Sequence, residues 1–154
     1  MLRIIHASNQ EHYQQAYHLF QHYAESLDFD LDFQNFSQEL AGLPGDYAPP
    51  KGCVLLAEDA NDYVGCVALR PLEKHICEMK RLYLRPKARG KKIGRLLAET
   101  VIDAAKRIGY KRMRLDTVGS MQAAIGLYRQ LGFYEIEPYC HNPHKDASFL
   151  ELVL

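Results

Sequence analysis

A chain of 154 residues with 47% hydrophobic side chains is the size of one domain, and a domain of that size buries about 68–70% of the surface its unfolded chain exposes, so its core needs no disulfide or metal staple. Lys plus Arg and Asp plus Glu each total 19, a balance that excludes a global electrostatic pull toward nucleic acid or an acidic membrane. The four cysteines (Cys53, Cys66, Cys77, Cys140) show no C-x-x-C spacing, and the sequence carries neither a cleavable apolar leader nor an 18-residue apolar run, so a reduced, cytoplasmic protein without a membrane partner is expected.

Leu2 to His6 reads as a first strand, and Glu11 to Leu27 as a helix with Ser8 or Asn9 as its N-cap. Tyr13, Ala16, Tyr17, Phe20, Tyr23, Ala24 and Leu27 recur at the spacing of one buried face, which assigns this aromatic stripe to the core, with a ligand platform as the alternative. In the connection LDFDLDF, Asp28, Asp30 and Asp32 alternate with apolar residues; the strip could attract a cation, or Asp32 could simply cap the next helix. That second helix is expected from Phe33 to Ala41, ended by Gly42 and the turn-rich loop LPGDYAPPKG. GCVLLAED and YVGCVALRPL follow as two strands of a hairpin turning around Asn61 and Asp62, and ICEMKRLYL is the next strand.

Between positions 85 and 95, RPKARGKKIGR holds six Lys or Arg residues and two glycines. Ile93 to Ile108 then takes up helical period, with Leu97, Val101, Ala104 and Ile108 on one face, Lys106 and Arg107 in the last turn and Gly109 as the stop. KRMRLDT reads as a strand, MQAAIGLYRQLG as a helix, and FYEIE and ASFLELVL as the last strands. The alternation predicts an α/β fold with a mixed sheet in a single domain spanning 1–154.

Pro86 ends the strand before the basic stretch, and a glycine-containing loop delivers the chain into a helix. That geometry aims unpaired amides and the positive end of a helix dipole at one spot, where a phosphate is the preferred guest. Arg89, Lys91, Lys92 and Arg95 add charge, and Gly90 and Gly94 let the backbone approach. Neither the P-loop spacing G-x-x-x-x-G-K-S/T nor G-x-G-x-x-G is present.

The stretch resembles instead the R/Q-x-x-G-x-G/A motif of the GNAT N-acetyltransferase superfamily, with Arg89 and Gly94 at its outer positions and Lys92 where the middle glycine usually stands. AAIGLYRQLGF, positions 123 to 133, is similar to the same family's A-x-x-L-Y-x-x-x-GF segment. The resemblance implies a mostly antiparallel twisted sheet flanked by helices, and acetyl-CoA as co-substrate. It places Leu82, Tyr83 and Leu84 along the pantetheine arm and Arg89, Gly90, Lys91, Lys92, Ile93, Gly94 and Arg95 around the pyrophosphate. It implies acetyl transfer to a small-molecule or protein amine, with a homodimer compatible with it.

An alkyl ammonium titrates near pKa ~10, so the attacking amine needs a base or a proton-conducting water. Glu78 stands where histone-acetylating members of the family carry theirs, with a solvated strand glutamate as the equal alternative, and Asp116, in the LDT at the end of the next strand, is a second candidate. Tyr128 matches the tyrosine facing the departing sulfur, and packing of its ring under the sheet is the alternative. The Leu84 amide would serve the oxyanion. Met121 replaces an asparagine common at that position in the family. His18 and His22, or Cys140, His141 and His144, lack a metal-binding pattern, so no metal is expected. A non-catalytic acyl-CoA sensor and an RNA-binding patch are the competing functions, the second disfavoured by the neutral charge.

Overall fold

The computed structural model describes residues 1–31 and 35–154; Asp32 and the expected start of the second helix at Phe33 lie outside the described residues. Strand β1 (Leu2–His6) leads to Asn9, whose Oδ1 accepts the His12 amide at 2.8 Å and caps helix α1 (Gln10–Ser26). On α1 the fully buried side chains are Ala16, Leu19 and Phe20, whereas Tyr17, expected in the stripe, is 37% exposed. The stripe is thus rotated by part of a turn toward Leu19, a position the aromatic pattern passed over. Helix α2 (Phe36–Ala41) is short and stops at Gly42, and the loop after it includes a three-ten turn, Gly45–Tyr47.

Strands β2 (Cys53–Asp59) and β3 (Asp62–Glu73) form the expected hairpin, with Ala60 and Asn61 both at positive φ in its turn. Strand β4 (Ile76–Leu84) pairs antiparallel with β3. Helix α3 (Ile93–Ile108) keeps its predicted bounds and its C-cap at Gly109 (φ +111°). Leu97, Val101 and Ala104 are buried, but Ile108, expected on that face, is 38% exposed at the helix end. Strand β5 (Arg112–Thr117), helix α4 (Gln122–Gln130), and strands β6 (Tyr134–Ile136) and β7 (Ser148–Val153) complete the chain.

The sheet order is β1-β2-β3-β4-β5-β7-β6. Every neighbouring pair is antiparallel except β4–β5, which is parallel. One face packs Leu55, Val67, Leu69, Met79, Met113 and Leu115 against Leu97, Val101 and Tyr128 of α3 and α4. The other packs Val54, Leu56, Cys66, Ala68 and Tyr83 against Leu19, Phe20 and Phe36 of α1 and α2. Each fully buried leucine or valine of these layers is worth about 1.5–3 kcal/mol of transfer free energy. Among the described residues no helix is long and apolar enough to cross a membrane, and all four cysteines are free, with only Cys140 exposed.

Candidate functional site

The site begins with a fault in the sheet. Lys80 lies opposite Ala68 and Tyr83 opposite Cys66, so Arg81 and Leu82 together face the single residue Val67. This β-bulge puts Arg81 at φ +63°, a left-handed conformation that costs a non-glycine residue about 1–2 kcal/mol. The cost is met by packing and charge: Nε and Nη2 of Arg81 donate to the two carboxylate oxygens of Glu39 of α2 at 2.8 Å each, and the cation sits 5.1 Å from the Phe36 ring centroid. Burial favours the protonated form of Glu39, but the Arg81 bond overcomes it and holds the carboxyl below its ordinary range.

The bulge turns β4 away from β5. Their pairing covers only Ile76, Cys77 and Glu78 opposite Arg112, Met113 and Arg114, and then the strands part. Arg85 N–H is bonded to Val64 O on β3 at 2.8 Å. By the alternation of an antiparallel ladder, the N–H groups of Leu82 and Leu84 therefore point the other way, into the gap. The predicted arm-binding segment Leu82, Tyr83 and Leu84 thus offers a free backbone edge.

The base of the gap is a narrow slot of about 40 Å³ lined by Tyr23, Lys80, Arg81, Leu82, Asp116, Met121 and Tyr128. Two of the predicted catalytic residues, Tyr128 and Asp116, meet here. Burial, aided by Tyr23 and Asp116, pushes the Tyr128 phenol well above its ordinary pKa, so it is a hydrogen-bond donor throughout the physiological range. Met121 stands at the start of α4 without a capping bond and takes a 3.4 Å contact from Thr117 Oγ1, so the amide that an asparagine would supply there is replaced by a thioether.

Glu78 is 2% exposed, which overturns its reading as a solvated strand residue. One carboxylate oxygen accepts Arg70 Nε at 2.8 Å and the other Tyr139 Oη at 2.7 Å. Asp116 accepts Asn142 Nδ2 at 3.1 Å and a weak contact from Cys140 Sγ at 3.9 Å. Residues 139–142, between β6 and β7, thereby lie against both acids, and His144 meets Phe29 of the α1–α2 connection with ring centroids 4.2 Å apart. Glu78, Asp116 and Cys140 offer ligand atoms within 4.8 Å of one another, yet Arg70, Tyr139 and Asn142 already bond the two carboxylates. Burial first, then the two acids, raise the Cys140 thiol to about 11, the opposite of an activated nucleophile.

At the mouth of the gap the basic loop runs into α3. Gly90 adopts φ +80° with open space where a Cβ would be, so its glycine answers to backbone conformation. Gly94 is a matter of approach, a Cβ there lying 3.4 Å from Leu84 Cδ1. Lys92 occupies the N-cap of α3 at φ +64°, with no side-chain cap for the first-turn amides. Those amides, with Arg89 and Lys91 exposed beside them, form a cradle suited to a diphosphate. Arg89 Nε reaches back to Leu84 O at 3.3 Å, whereas Arg95 is directed sideways to Glu99 at 3.6 Å and Gln130 at 3.3 Å. The predicted site residues therefore fall into two regions of one cleft, the diphosphate cradle and the slot, with Glu78 beside the slot instead of in it.

Sequence reasoning missed Lys80 and the slot position of Tyr23. Burial chiefly, then Arg81, lowers the Lys80 pKa. Neither residue carried a distinguishing signal, since Tyr23 shares the period of the core stripe and Lys80 sits in a strand beside another cation.

Comparison with known proteins bears on the family and the fold. The family model described as Acetyltransferase (GNAT) family matches residues 10–133. An uncharacterized N-acetyltransferase of Schizosaccharomyces pombe is 42% identical over 136 residues, covering 87% of this chain and 83% of that protein. A GNAT-family acetyltransferase structure from Staphylococcus aureus superposes with a TM-score of 0.80 at 22% identity, covering 98% of each chain. The PaiA N-acetyltransferase of Thermoplasma acidophilum, solved in complex with coenzyme A, gives 0.76 at 18% identity over 100% of this chain and 99% of that one.

Proposed function

The chain belongs to the GNAT acetyltransferase family and is an acetyl-CoA-dependent acyltransferase, and from that premise we propose that it acetylates a primary amine, of a small molecule or a protein, by direct attack through a tetrahedral intermediate. The observation that carries this reading is the convergence of the outward N–H of Leu82, the Tyr128 phenol and the Asp116 carboxylate on one slot at the parting of β4 and β5. Acetyl-CoA supplies an activated thioester carbonyl. Its diphosphate is assigned to Arg89, Gly90, Lys91, Lys92 and the first-turn amides of Ile93, Gly94 and Arg95, and its pantetheine arm to the backbone edge of Leu82, Tyr83 and Leu84.

The amine must be neutral to attack, and near pH 7 most of it arrives protonated. Asp116 lines the slot and takes the released proton through water. Glu78 has both oxygens occupied by Arg70 and Tyr139, so its part is to fix the 139–142 segment over the acceptor side. Charge developing on the carbonyl oxygen is met by a backbone N–H, that of Leu82 in preference to Leu84, because Leu82 is the one lining the slot with Tyr128. The departing thiolate accepts a hydrogen bond from the Tyr128 hydroxyl, whose raised pKa keeps its own proton in place.

Release of free thiol from acetyl-CoA across a panel of primary amines tests the reading. Turnover on at least one amine, reduced about 10- to 100-fold by Tyr128→Phe, is the expected result. Coenzyme binding without turnover on any amine favours the acyl-CoA sensor.

A further inference from the structure

Tyr23 enters the slot from the opposite face to Tyr128. Its helix, α1, packs on the side of the sheet that holds Phe20 and Leu56, while α4 packs on the side that holds Leu97 and Met113. Both phenols line the same slot with Asp116. The Tyr23 ring is held edge-on against Tyr83, centroids 6.1 Å apart, a contact that a phenylalanine would make equally well. The fully buried neighbours on α1, Ala16, Leu19 and Phe20, are all apolar, and among the described residues Tyr23 is the residue of α1 that lines the slot. Burial is the largest influence raising the pKa of both Tyr23 and Tyr128, so each phenol keeps its proton near neutral pH. The charged groups facing Tyr23 are Arg81 and Glu39 from β4 and α2, and Asp116 from β5.

We propose that Tyr23 is a second catalytic tyrosine, which accepts a hydrogen bond from the attacking amine and relays its proton to Asp116 through water. The proposal rests on the reading of the chain as an amine N-acetyltransferase. With the sulfur beside Tyr128, the acceptor has to come from the α1 side, where Tyr23 stands. In the step itself the amine nitrogen bonds to the carbonyl carbon, and the carbon–sulfur bond breaks with its electron pair passing to sulfur. The nitrogen loses one proton to the Tyr23 oxygen as the hydroxyl proton of Tyr23 moves to the water on Asp116. The phenol is never ionised, in keeping with burial that pushes it up to about 12. Acetylated amine, coenzyme thiolate and one proton are the products, and the balance closes.

Tyr23→Phe keeps the ring on Tyr83 and removes only the hydroxyl. With saturating acetyl-CoA and the panel amine that wild type turns over fastest, the expected result is a kcat lowered about 30-fold or more and a changed solvent deuterium isotope effect. The melting temperature and its rise on adding acetyl-CoA should stay as in wild type, separating lost chemistry from lost fold. A kcat within twofold of wild type and an unchanged isotope effect would overturn the role of Tyr23 while leaving amine acetylation standing. If wild type turns over no amine, the amine-acetylation reading falls and the relay falls with it.

Discussion

Lys92 shows how a single residue serves two demands. Its φ of +64° at the N-cap of α3 is a conformation in which glycine is unstrained, and glycine is the residue this family's motif usually places there. The strain avoided, about 1–2 kcal/mol, is partly cancelled by the extra chain entropy of glycine, about 0.5–1 kcal/mol. Lys92→Gly should therefore raise the melting temperature by about 2 °C while weakening acetyl-CoA binding several-fold through loss of the ammonium, as thermal denaturation and titration calorimetry would register. Tyr128→Phe separates the same two properties in the other direction, lowering kcat with coenzyme affinity retained. Both Lys92 and Tyr128 were legible in the sequence because their spacing to fixed glycines is short. Tyr23 was not: at positions one turn apart, helical period cannot tell a ring that ends in the core from one whose hydroxyl ends in a cleft.

At the scale of elements, the decisive feature is the bulge in β4. Nothing in ICEMKRLYL announces it, since its left-handed residue is an arginine where local propensity would ask for glycine. What holds it is Glu39, 42 positions away in the chain, and such a partner is visible only after folding. Removing one member of a buried pair leaves the other charge uncompensated. Glu39→Gln should then destabilise the protein by about 3 kcal/mol in urea denaturation, and loosen the parting of β4 from β5 on which the slot depends. The same limit explains Glu78, whose position in the strand was readable but whose burial depends on Tyr139, 61 residues on. By contrast α3 kept its predicted bounds, because its signals, a glycine stop and an apolar period, are local.

Across the whole molecule, the last strands are joined by polar contacts as well as by the core. Glu151 of β7 accepts Arg112 Nη1 at 2.6 Å and Arg114 Nε at 2.8 Å from β5, and the Tyr134 hydroxyl from β6. Burial would raise its pKa, but these three donors overcome that and hold it down to about 2. A carboxyl depressed in the folded state stabilises fully above its unfolded pKa of about 4.3, and that stabilisation is lost as pH falls toward 2. Between pH 5 and pH 2.5 wild type should lose about 2 kcal/mol more stability than Glu151→Gln, measured by urea denaturation at the two pH values. The α/β class and the element order followed from periodicity and turn residues, whereas the insertion of β7 between β5 and β6 depends on contacts between distant segments.

The central claim is that a diphosphate is gripped by the amides opening α3 while the adjoining arm runs along the free edge of β4. Backbone amide NMR on addition of coenzyme A addresses it directly. The signals of Ile93, Gly94 and Arg95, with those of Leu82 and Leu84, are predicted to shift together and saturably. Saturating coenzyme that leaves those five signals in place while others move would contradict it.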